Sequence, residues 1–518
     1  MGDVGDYSGT LLPISLFLAF TLLLLLRSFQ KKTKAGLPPS PPALPIIGHL
    51  HLLGPLPHQA FHRISARYGP LLHLSFGPRS CVLVSSSEMA KECLRTNESS
   101  FLDRPEKINL KYATYGRSDI ATAPYGPYWK FMRKLCMTEL LGGPIIQHHS
   151  PVRAQELRVF VDNIVKKGNL GEDVNVGEEI GMLAYNNISR MAFGKRCSDD
   201  VRSEGRELVE VVKELTELSG KFNLGDMGWV FQKLDLQGFR KILKSAMSRY
   251  DVIVERIIKE HEEDRRRRKK EASDQYEAHK DLVDVLLDTY EDQSSEIRLT
   301  RENIKAVIMN MFGAGTDTSS HAVTWGLGEL MNHPEVMEKA RKEIDSVVGK
   351  SRLVEESDIS KLPYMESIVK ETLRLHPTGP LIARQTSKEC KINGYLIPEK
   401  TSVLVNLWSI GRDPKHWDDA MEFKPERFVN EEGRSELKLK AENFELLTFG
   451  AGRRVCPGAS LASIFVPTTL AALIQCFEWK ILGDGGKVNM EEKPGLSLPK
   501  AHPLICIPLP RPLPFLNL

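Results

Sequence analysis

The apolar positions of this chain repeat mainly with the period of an α-helix. Two stretches each place apolar side chains on one helical face: Leu208, Val211, Val212, Leu215 and Leu218 in the first, and Ile304, Val307, Ile308, Met311 and Phe312 in the second. Two shorter apolar runs, at Leu71–Phe76 and 81–85, flank the turn-forming residues Gly77 and Pro78 and predict a β-hairpin. The pattern therefore predicts a mainly α fold with a smaller β portion.

A longer apolar run at residues 11–26 predicts a transmembrane helix near the N-terminus. With residues 7–10 before it, the segment is just long enough to span a bilayer. No Lys or Arg precedes the run, whereas four basic residues follow it within 27–34. A cleavable signal peptide, the alternative, carries its positive charge in front of the apolar run. We therefore interpret residues 1–34 as a membrane anchor with a basic flank, and the positive-inside rule then places the remaining chain in the cytosol.

A proline-rich segment follows the anchor. Residues 35–48 contain five prolines, and repeated prolines favour a stiff, extended chain. This predicts a hinge that holds the globular part at a fixed tilt to the membrane, with residues 49–518 as that globular part. Within it, residues 109–123 are polar and irregular and predict a long loop.

The charge balance gives no indication of a nucleic-acid partner. The chain has 518 residues, with 70 Lys and Arg against 67 Asp and Glu, for a net charge of +3. The basic cluster at residues 265–270 follows four acidic residues within 260–264, so we interpret it as a solvated helix end or loop. Eight cysteines form no Cys-x-x-Cys pair, so neither a zinc site nor a disulfide framework is indicated.

A glycine-rich loop around one cysteine carries the main chemical signal. It reads Phe-x-x-Gly-x-Arg-x-Cys-x-Gly at Phe449, Gly452, Arg454, Cys456 and Gly458. A thiolate held by backbone N–H groups at a helix N-terminus stays ionised and is a strong axial ligand for haem iron. Taken alone, the cysteine would be a buried structural residue. The whole pattern resembles the haem-binding loop of the cytochrome P-450 family, and the resemblance implies that Cys456 ligates the iron of haem b and that Arg454 pairs with a haem propionate.

Other residues gain a role from the same resemblance. Trp129 and Arg133 are four residues apart and share a helical face, where an indole N–H and a guanidinium suit an anionic group. On their own they would be a surface aromatic–cation pair. A Trp-x-x-x-Arg pair meets the haem propionates in this family, which implies that role for Trp129 and Arg133. The resemblance implies the same for Arg384, in an extended stretch.

The helical pattern that begins after Thr300 is interrupted by small and hydroxyl residues at 313–320. Such residues are poor choices for a helix interior, and a weak point of this kind often has a functional reason. The alternative is a kink tolerated in a surface helix. The stretch resembles the family's oxygen-activating motif, which implies that Thr318 hydrogen-bonds iron-bound dioxygen and that Asp317 passes protons in from solvent.

A third motif combines Glu371 and Arg374, one helical turn apart, with Arg427 further along the chain. Most isolated Glu–Arg turns are surface salt bridges. In this family the matching residues form a buried triad. The resemblance therefore implies that Glu371, Arg374 and Arg427 brace the segment that leads to the cysteine loop.

The resemblance covers nearly the whole chain after the anchor. It implies a cytochrome P-450 fold in which residues 49–518 form a haem-thiolate monooxygenase domain. It is strongest toward plant microsomal members that act on flavonoids, with oxidases of pentacyclic triterpenes nearby, and the strings that support this lie at 125–131, 234–239, 410–414 and 490–495. It further implies an endoplasmic reticulum membrane anchor, a catalytic domain that faces the cytosol, dioxygen as co-substrate, and electrons from NADPH through NADPH–cytochrome P-450 reductase.

Three loops are expected to shape the substrate pocket, at residues 111–120, 221–228 and 378–382. Leu381 and Ile382 favour a large, mostly apolar, polycyclic substrate, and the resemblance points to a flavonoid or isoflavonoid. A pentacyclic triterpene or other terpenoid is the alternative. Two further classes are a reductase-independent haem-thiolate isomerase or dehydratase and a membrane-anchored haem sensor. The intact oxygen-activating motif argues against both.

Overall fold

The computed structural model describes residues 13, 15, 36–197, 204–270, 280–430, 435, 443–482 and 485–516. Apart from Pro13 and Ser15, the predicted transmembrane helix lies outside the described residues. Among the described residues, one helix, Ala459–Cys476, has the length and composition to cross a membrane. Since 67% of it is buried inside the protein, it serves as a core helix.

The predicted mainly α architecture is confirmed. The α-helices are α1 (Pro57–Tyr68), α2 (Ser87–Lys91), α3 (Ile108–Ala113), α4 (Pro127–Glu139), α5 (Gly143–His148), α6 (Ser150–Asn169), α7 (Val176–Phe193), α8 (Glu204–Gly220), α9 (Trp229–Leu234), α10 (Phe239–Lys270), α11 (Leu282–Glu291), α12 (Arg301–Gly315), α13 (Asp317–Asn332), α14 (Pro334–Val347), α15 (Pro363–Leu375), α16 (Leu407–Ile410) and α17 (Ala459–Cys476). Short 3₁₀ turns lie at Leu50–Leu52, Glu98–Ser100, Leu224–Met227, Glu356–Lys361, Pro425–Phe428, Gly452–Arg454 and Pro514–Leu516, and a π-helical turn lies at Glu92–Thr96.

The β portion is small and lies in three sheets. The strands are β1 (Leu71–Phe76), β2 (Arg79–Val84), β3 (Val174–Asn175), β4 (Leu381–Gln385), β5 (Cys390–Ile392), β6 (Tyr395–Ile397), β7 (Ser402–Asn406), β8 (Phe477–Ile481) and β9 (Ile505–Pro510). The largest sheet has the order β1-β2-β7-β4, with β2 and β7 parallel and the other pairs antiparallel. The order β3-β9-β8 forms the second sheet, and β5 pairs with β6. The predicted hairpin is confirmed as β1 and β2.

Local sequence signals explain several helix starts. Proline occupies the first turn of α1, α4, α14 and α15, where its missing N–H would have no intrahelical partner. α12 begins with a capping box between Thr300 and Asn303. The apolar stripes predicted on α8 and α12 are buried together in one cluster with residues of α4, α7 and α10. Three of these helices, α4, α7 and α12, also supply residues that line the cavity described below.

The predicted weak point in the helix after Thr300 is confirmed. α12 ends at Gly315 and α13 begins at Asp317, and Thr316 between them has φ −99° and ψ −62°. The Thr316 hydroxyl donates to the carbonyl of Phe312 at 2.5 Å. A hydroxyl that bonds a carbonyl four residues earlier tends to bend a helix. Residues on both sides of this interruption, Gly315 and Thr318, line the cavity described below.

The prediction of a long loop at residues 109–123 is wrong in its first part, because α3 occupies that part. The Asn109 side-chain amide donates to the carbonyl of Leu218 at 2.7 Å and accepts from the Asn223 amide at 2.6 Å. These contacts with the end of α8 and the chain after it stabilise a helical turn that the local sequence does not favour. Tertiary packing overrides the local signal here.

The basic cluster at residues 265–270 ends α10, but it is not wholly solvated as predicted. Arg265 is 2% exposed. Its guanidinium donates to the Asp284 carbonyl at 2.6 Å and to the carboxylates of Asp288 and Glu291 at 2.5 and 3.2 Å. The prediction is wrong at this residue, because α11 packs against α10 and supplies all three acceptors.

The proline-rich segment lies against the domain. The Leu396 N–H of β6 donates to the Gly36 carbonyl at 2.6 Å, and the His73 N–H of β1 donates to the Pro39 carbonyl at 2.8 Å. The chain therefore reaches the domain near residue 36 in a defined direction.

Candidate active site

An interior cavity of about 380 Å³ lies between the α12–α13 junction and the cysteine loop. Most of the predicted site residues line it, namely Trp129, Arg133, Thr318, Arg384, Phe449, Arg454, Cys456 and Gly458. Asp317 and Gly452 are not among the lining residues, and neither are Glu371, Arg374 and Arg427. The fold thus collects the predicted cofactor residues around one space.

Backbone hydrogen bonds hold the cysteine loop in a tight turn. The Cys456 N–H donates to the Phe449 carbonyl, and the Val455 N–H donates to the Gly452 carbonyl, both at 2.9 Å. Gly450 and Gly452 have φ values of +73° and +71°, which suit glycine and disfavour other residues. The loop therefore presents the cysteine to the cavity just before α17 begins.

Two kinds of influence act in opposite directions on the pKa of the Cys456 thiol. Burial raises the pKa of the thiol, whereas hydrogen bonds from the backbone N–H groups of Gly458 and Ala459 and the positive charge of Arg133 lower it. The sulfur nevertheless remains open to the cavity side. A metal ion bound at a thiol deprotonates it, and the two N–H groups would then stabilise the resulting thiolate.

Three arginines line the cavity without an ion-pair partner among the described residues; Arg384 and Arg454 are buried, and Arg104 is half-buried. Within the described ranges, Arg104, Arg384 and Arg454 make their hydrogen bonds to backbone carbonyls, at 2.7 Å from Arg104 to Ala383 and 2.6 Å from Arg454 to Ala123. Burial lowers the pKa of Arg104 and Arg454 to about 10 each. Burial also holds the pKa of Arg384 well below its usual range, and the positive charges of Arg104 and Arg454 add to this effect. The negative charges of Glu98, Asp103 and Asp119 offset this lowering only in part, so an anionic ligand would stabilise the cluster.

The chemistry of this cavity fits haem b. The Arg104 Nε and the Thr448 Oγ1 are buried and have no hydrogen-bond partner among the described residues. The two propionates of a haem would supply acceptors and negative charge to the arginine cluster. Cys456, in the same lining, would supply a thiolate ligand for the iron.

Trp129 lies beside Arg454, but its indole N–H is not free for an anionic group as the sequence analysis predicted. The indole N–H donates to the Ile120 carbonyl at 3.0 Å. The Arg454 guanidinium lies over the indole ring, 4.4 Å from its centroid. In this structure Trp129 therefore orients Arg454 by cation–π stacking, while its own N–H is already used.

Asp317 and Thr318 lie on different sides of the interrupted helix. The Thr318 hydroxyl faces the cavity and donates to the Ala314 carbonyl at 2.7 Å. Asp317 is half-buried outside the lining, and burial raises its pKa to about 6 against the opposing positive charge of Lys213. A carboxyl group with this pKa exchanges protons readily near neutral pH.

The three residues of the predicted brace meet in a buried network. Glu371 accepts from Arg374 at 2.6 and 2.8 Å and from Arg427 at 3.0 Å. Arg374 also donates to the carbonyls of Gly411 and Ala420, both at 2.6 Å. The network therefore ties α15 to the chain that leads toward the cysteine loop.

The predicted substrate loops differ in their position. Thr378, Gly379, Leu381 and Ile382 all line the cavity, whereas Ile120 alone does so from residues 111–120. Residues 221–228 are absent from the lining, because their 3₁₀ turn packs Met227 against the β1–β2 turn at Gly77. The prediction for 221–228 is thus wrong for this cavity.

Sequence reasoning missed several polar lining residues, among them Arg104 and Asn310. Neither belongs to a periodic pattern or to the motifs recognised in the sequence. Arg104 approaches Arg454 only because residues 102–104 run beside β4 and the cysteine loop. No local signal marks either residue.

We expect Gly452→Ala to weaken haem retention, with a loss of about 1–2 kcal/mol in loop stability. Gly452 has a positive φ, and an added Cβ would collide with the Glu98 carboxylate. Gly458→Ala is the matched control, since its φ is −85° and its Cβ would approach only the Cys456 sulfur, at 4.0 Å. Haem content per protein, measured during thermal challenge, checks this. Equal losses in the two variants would contradict it.

Comparison with known proteins agrees with this geometry. The family model described as Cytochrome P450 matches residues 38–507. The chain is 49% identical to 3,9-dihydroxypterocarpan 6A-monooxygenase of Glycine max, over 94% of this chain and 96% of that protein. It is 44% identical to beta-amyrin 24-hydroxylase of Glycine max, over 96% and 98%. A zebrafish cytochrome P450 solved with abiraterone superposes with a TM-score of 0.71 at 25% identity, over 88% of this chain and all of that one.

The family match covers most of the chain, and its relatives align over nearly their whole length. The cavity supplies what such a protein needs, namely a thiol at one wall and an arginine cluster for an anionic cofactor. The chain therefore belongs to the cytochrome P450 family, and is a haem-thiolate monooxygenase that receives electrons from NADPH through a reductase.

Proposed function

We propose that this monooxygenase hydroxylates or desaturates a neutral polycyclic substrate, which the apolar wall of the cavity selects. The lining of the cavity carries this proposal. Among the described residues that line it, four are arginines, Arg104, Arg133, Arg384 and Arg454, and none is Asp, Glu or Lys. Once the cofactor pairs with these arginines, the remaining wall is apolar or weakly polar, so a charged substrate would lose its hydration without gaining a partner.

A flavonoid or isoflavonoid is our first candidate for this substrate. The relative named for a pterocarpan shares more identity with this chain than the relative named for beta-amyrin does. Gly379 leaves open space where a side chain would stand, which suits a flat ring system. A pentacyclic triterpene is the second candidate, because the same apolar wall would accept it.

We assign the cofactor contacts as follows. Cys456 holds the iron, and Arg104, Arg133, Arg384 and Arg454 neutralise the propionates, with Trp129 orienting Arg454. Phe449, Gly452 and Gly458 shape the loop around the sulfur. The bound haem supplies the dioxygen chemistry, which a thiolate ligand favours.

Two residues of the interrupted helix manage protons in this proposal. Thr318 presents its hydroxyl to the cavity, where Oγ1 can hold a proton next to the oxygen-binding position. Asp317 stands behind it and exchanges protons with the solvent side near Lys213. Burial keeps part of this carboxyl population protonated at neutral pH, as a general acid requires.

We expect Asp317→Asn to stabilise the protein above about pH 6 while lowering coupled turnover roughly tenfold to a hundredfold. The folded pKa of Asp317, about 6, lies above its ordinary value of 3.8, so the folded state binds this proton more tightly than the unfolded chain does. The ionised carboxylate therefore destabilises the folded protein by about 1–3 kcal/mol. This destabilisation is fully present above the folded pKa, about 6, and is absent below the ordinary value of 3.8. Thermal unfolding at acidic and alkaline pH checks this. Stabilisation that is equal at both pH values would contradict it.

Residues 1–34 are proposed as a single-pass anchor in the endoplasmic reticulum membrane, with the catalytic domain, residues 49–518, facing the cytosol. The apolar run at 11–26 and the basic residues after it support this orientation. Residues 35–48 act as the hinge, and the contacts of Gly36 and Pro39 with β6 and β1 support a fixed tilt of the domain.

A substrate panel tests the proposed function. Membranes that contain the full-length chain and a plant reductase are supplied with NADPH and with a dihydroxypterocarpan, a flavanone, an isoflavanone or β-amyrin. We expect oxidised product from a phenolic substrate. Product from β-amyrin alone would instead support a pentacyclic triterpene as the substrate. Spectral binding of only small charged metabolites would contradict the apolar-substrate proposal, and turnover without NADPH would favour an isomerase or dehydratase.

A further inference from the structure

One side chain of α12 fastens the loop that forms a wall of the cavity. The Asn310 Oδ1 accepts hydrogen bonds from the backbone N–H groups of Ile120 and Ala121, at 3.0 and 3.2 Å. Its Nδ2 donates to the Asp119 carboxylate at 2.8 Å. A single amide therefore holds three consecutive residues of the loop against the helix.

Asp119 completes this network from the loop side. It is fully buried, and its Oδ1 accepts from the backbone N–H of Thr122 at 2.8 Å and from the Thr122 hydroxyl. Its second oxygen accepts from Asn310. Each oxygen of Asp119 and both functional atoms of the Asn310 amide are thus engaged, as a buried polar network requires.

The fastened loop contributes to two parts of the site. Ile120 and Ala121 line the cavity together with Asn310. The Ile120 carbonyl accepts the Trp129 indole N–H at 3.0 Å, and Trp129 stacks against Arg454. Displacement of this loop would therefore change both the pocket wall and the support of the arginine cluster.

We propose that Asn310 and Asp119 form a positioning pair that sets the width of the substrate pocket by holding Ile120 and Ala121 at a fixed distance from α12. This rests on the proposed function only in taking the cavity as the substrate pocket. The tests below use ligand binding and proteolysis, so that the pair and the proposed function can fail separately.

The chemistry of the pair suggests a reciprocal exchange. Asn310→Asp would place two carboxylates together. In Asp119→Asn, the new amide N–H group would face either the Asn310 N–H group or the Thr122 N–H group, and both of these are donors. The exchanged pair, Asn310→Asp with Asp119→Asn, keeps every acceptor for Ile120, Ala121 and Thr122 and restores the bond between the two side chains. Rescue by exchange is therefore expected of a specific hydrogen-bonded pair and not of general packing.

The single Asn310→Asp variant should also depend on pH. The charged and titratable groups that face Asp119 are Arg104 and Arg454 from the cofactor side and Tyr128 from α4. Two adjacent carboxylates share one proton when the pH falls, and the shared proton would rebuild the lost bond. Lower pH should therefore restore the single variant toward wild-type behaviour.

The experiment titrates the haem-loaded full chain with imidazole and with 4-phenylimidazole, whose nitrogen binds haem iron and shifts its absorption. Each single variant should bind 4-phenylimidazole about tenfold more weakly, because a loosened wall must be ordered on binding, and imidazole nearly as well as wild type. The same variants should be cut faster by trypsin at Arg117. The exchanged pair should return both readouts to within about twofold of wild type.

Asn332→Ala is the matched control, since its amide also bridges two backbone groups, both of Val488, but does not line the cavity. It should leave the ratio of the two azole affinities unchanged. Single variants that lose haem while the exchanged pair retains it would support the proposal equally. An exchanged pair that fails like the single variants, or equal weakening of both azoles, would overturn it.

Discussion

Replacing Cys456 with serine is expected to lower NADPH-dependent turnover by a factor on the order of 10³ or more. The backbone N–H groups of Gly458 and Ala459 stabilise an anion at this position, but a serine hydroxyl does not ionise at neutral pH. The haem would then lack the electron donation that favours O–O cleavage. The reduced carbon monoxide difference spectrum should lose its thiolate-type band, and circular dichroism should remain that of a folded protein.

A second cysteine of the same cavity provides the control. Cys136 also lines it, and burial raises the pKa of its thiol to about 11. Cys136→Ser should therefore keep the thiolate-type band and most of the activity. Retention of the band in Cys456→Ser, or its loss in Cys136→Ser alone, would show that the wrong sulfur has been assigned.

The second large effect is expected for Glu371→Ala, with a loss of about 3–5 kcal/mol in stability and little haem-loaded protein. Glu371 is fully buried, and its removal would leave Arg374 and Arg427 without their carboxylate. The remaining carbonyl contacts of Arg374 do not neutralise its charge. Denaturant unfolding and the ratio of haem to protein measure this.

The chain contains a matched Glu-x-x-Arg pair for comparison. Glu338 and Arg341 lie on α14 with the same spacing and a 2.8 Å contact, but the Glu338 side chain is 49% exposed. Glu338→Ala should change stability by less than about 0.5 kcal/mol. If Glu371→Ala retained normal haem content, the bracing role of the buried triad would be wrong.

These two pairs show what spacing alone leaves undecided. Both read as Glu-x-x-Arg on a helix, and burial separates them only after α15 packs into the core. The cysteine loop was more accessible to sequence reasoning, because its turn closes by hydrogen bonds between Phe449 and Cys456, seven positions apart. The interruption at Thr316 was predictable for the same reason, since glycine and hydroxyl residues act locally on the helix.

Features that depend on distant parts of the chain escaped prediction. Arg104 joins the cofactor side and Asn310 fastens the pocket wall, but neither has a local signature. The sequence predicted a solvated Arg265 within a basic cluster, but α11 packs against it and supplies its hydrogen-bond acceptors. Long-range packing decides each of these cases, and composition and periodicity carry no information about it.

Dioxygen is consumed at the cavity beside Cys456, with electrons that a reductase takes from NADPH. The most direct test measures product from the phenolic substrate panel in reductase-containing membranes, under air and under nitrogen, with and without NADPH. We predict product only when dioxygen and NADPH are both present, and none from Cys456→Ser. Product formed under nitrogen, or without NADPH, would contradict a monooxygenase reaction at this cavity.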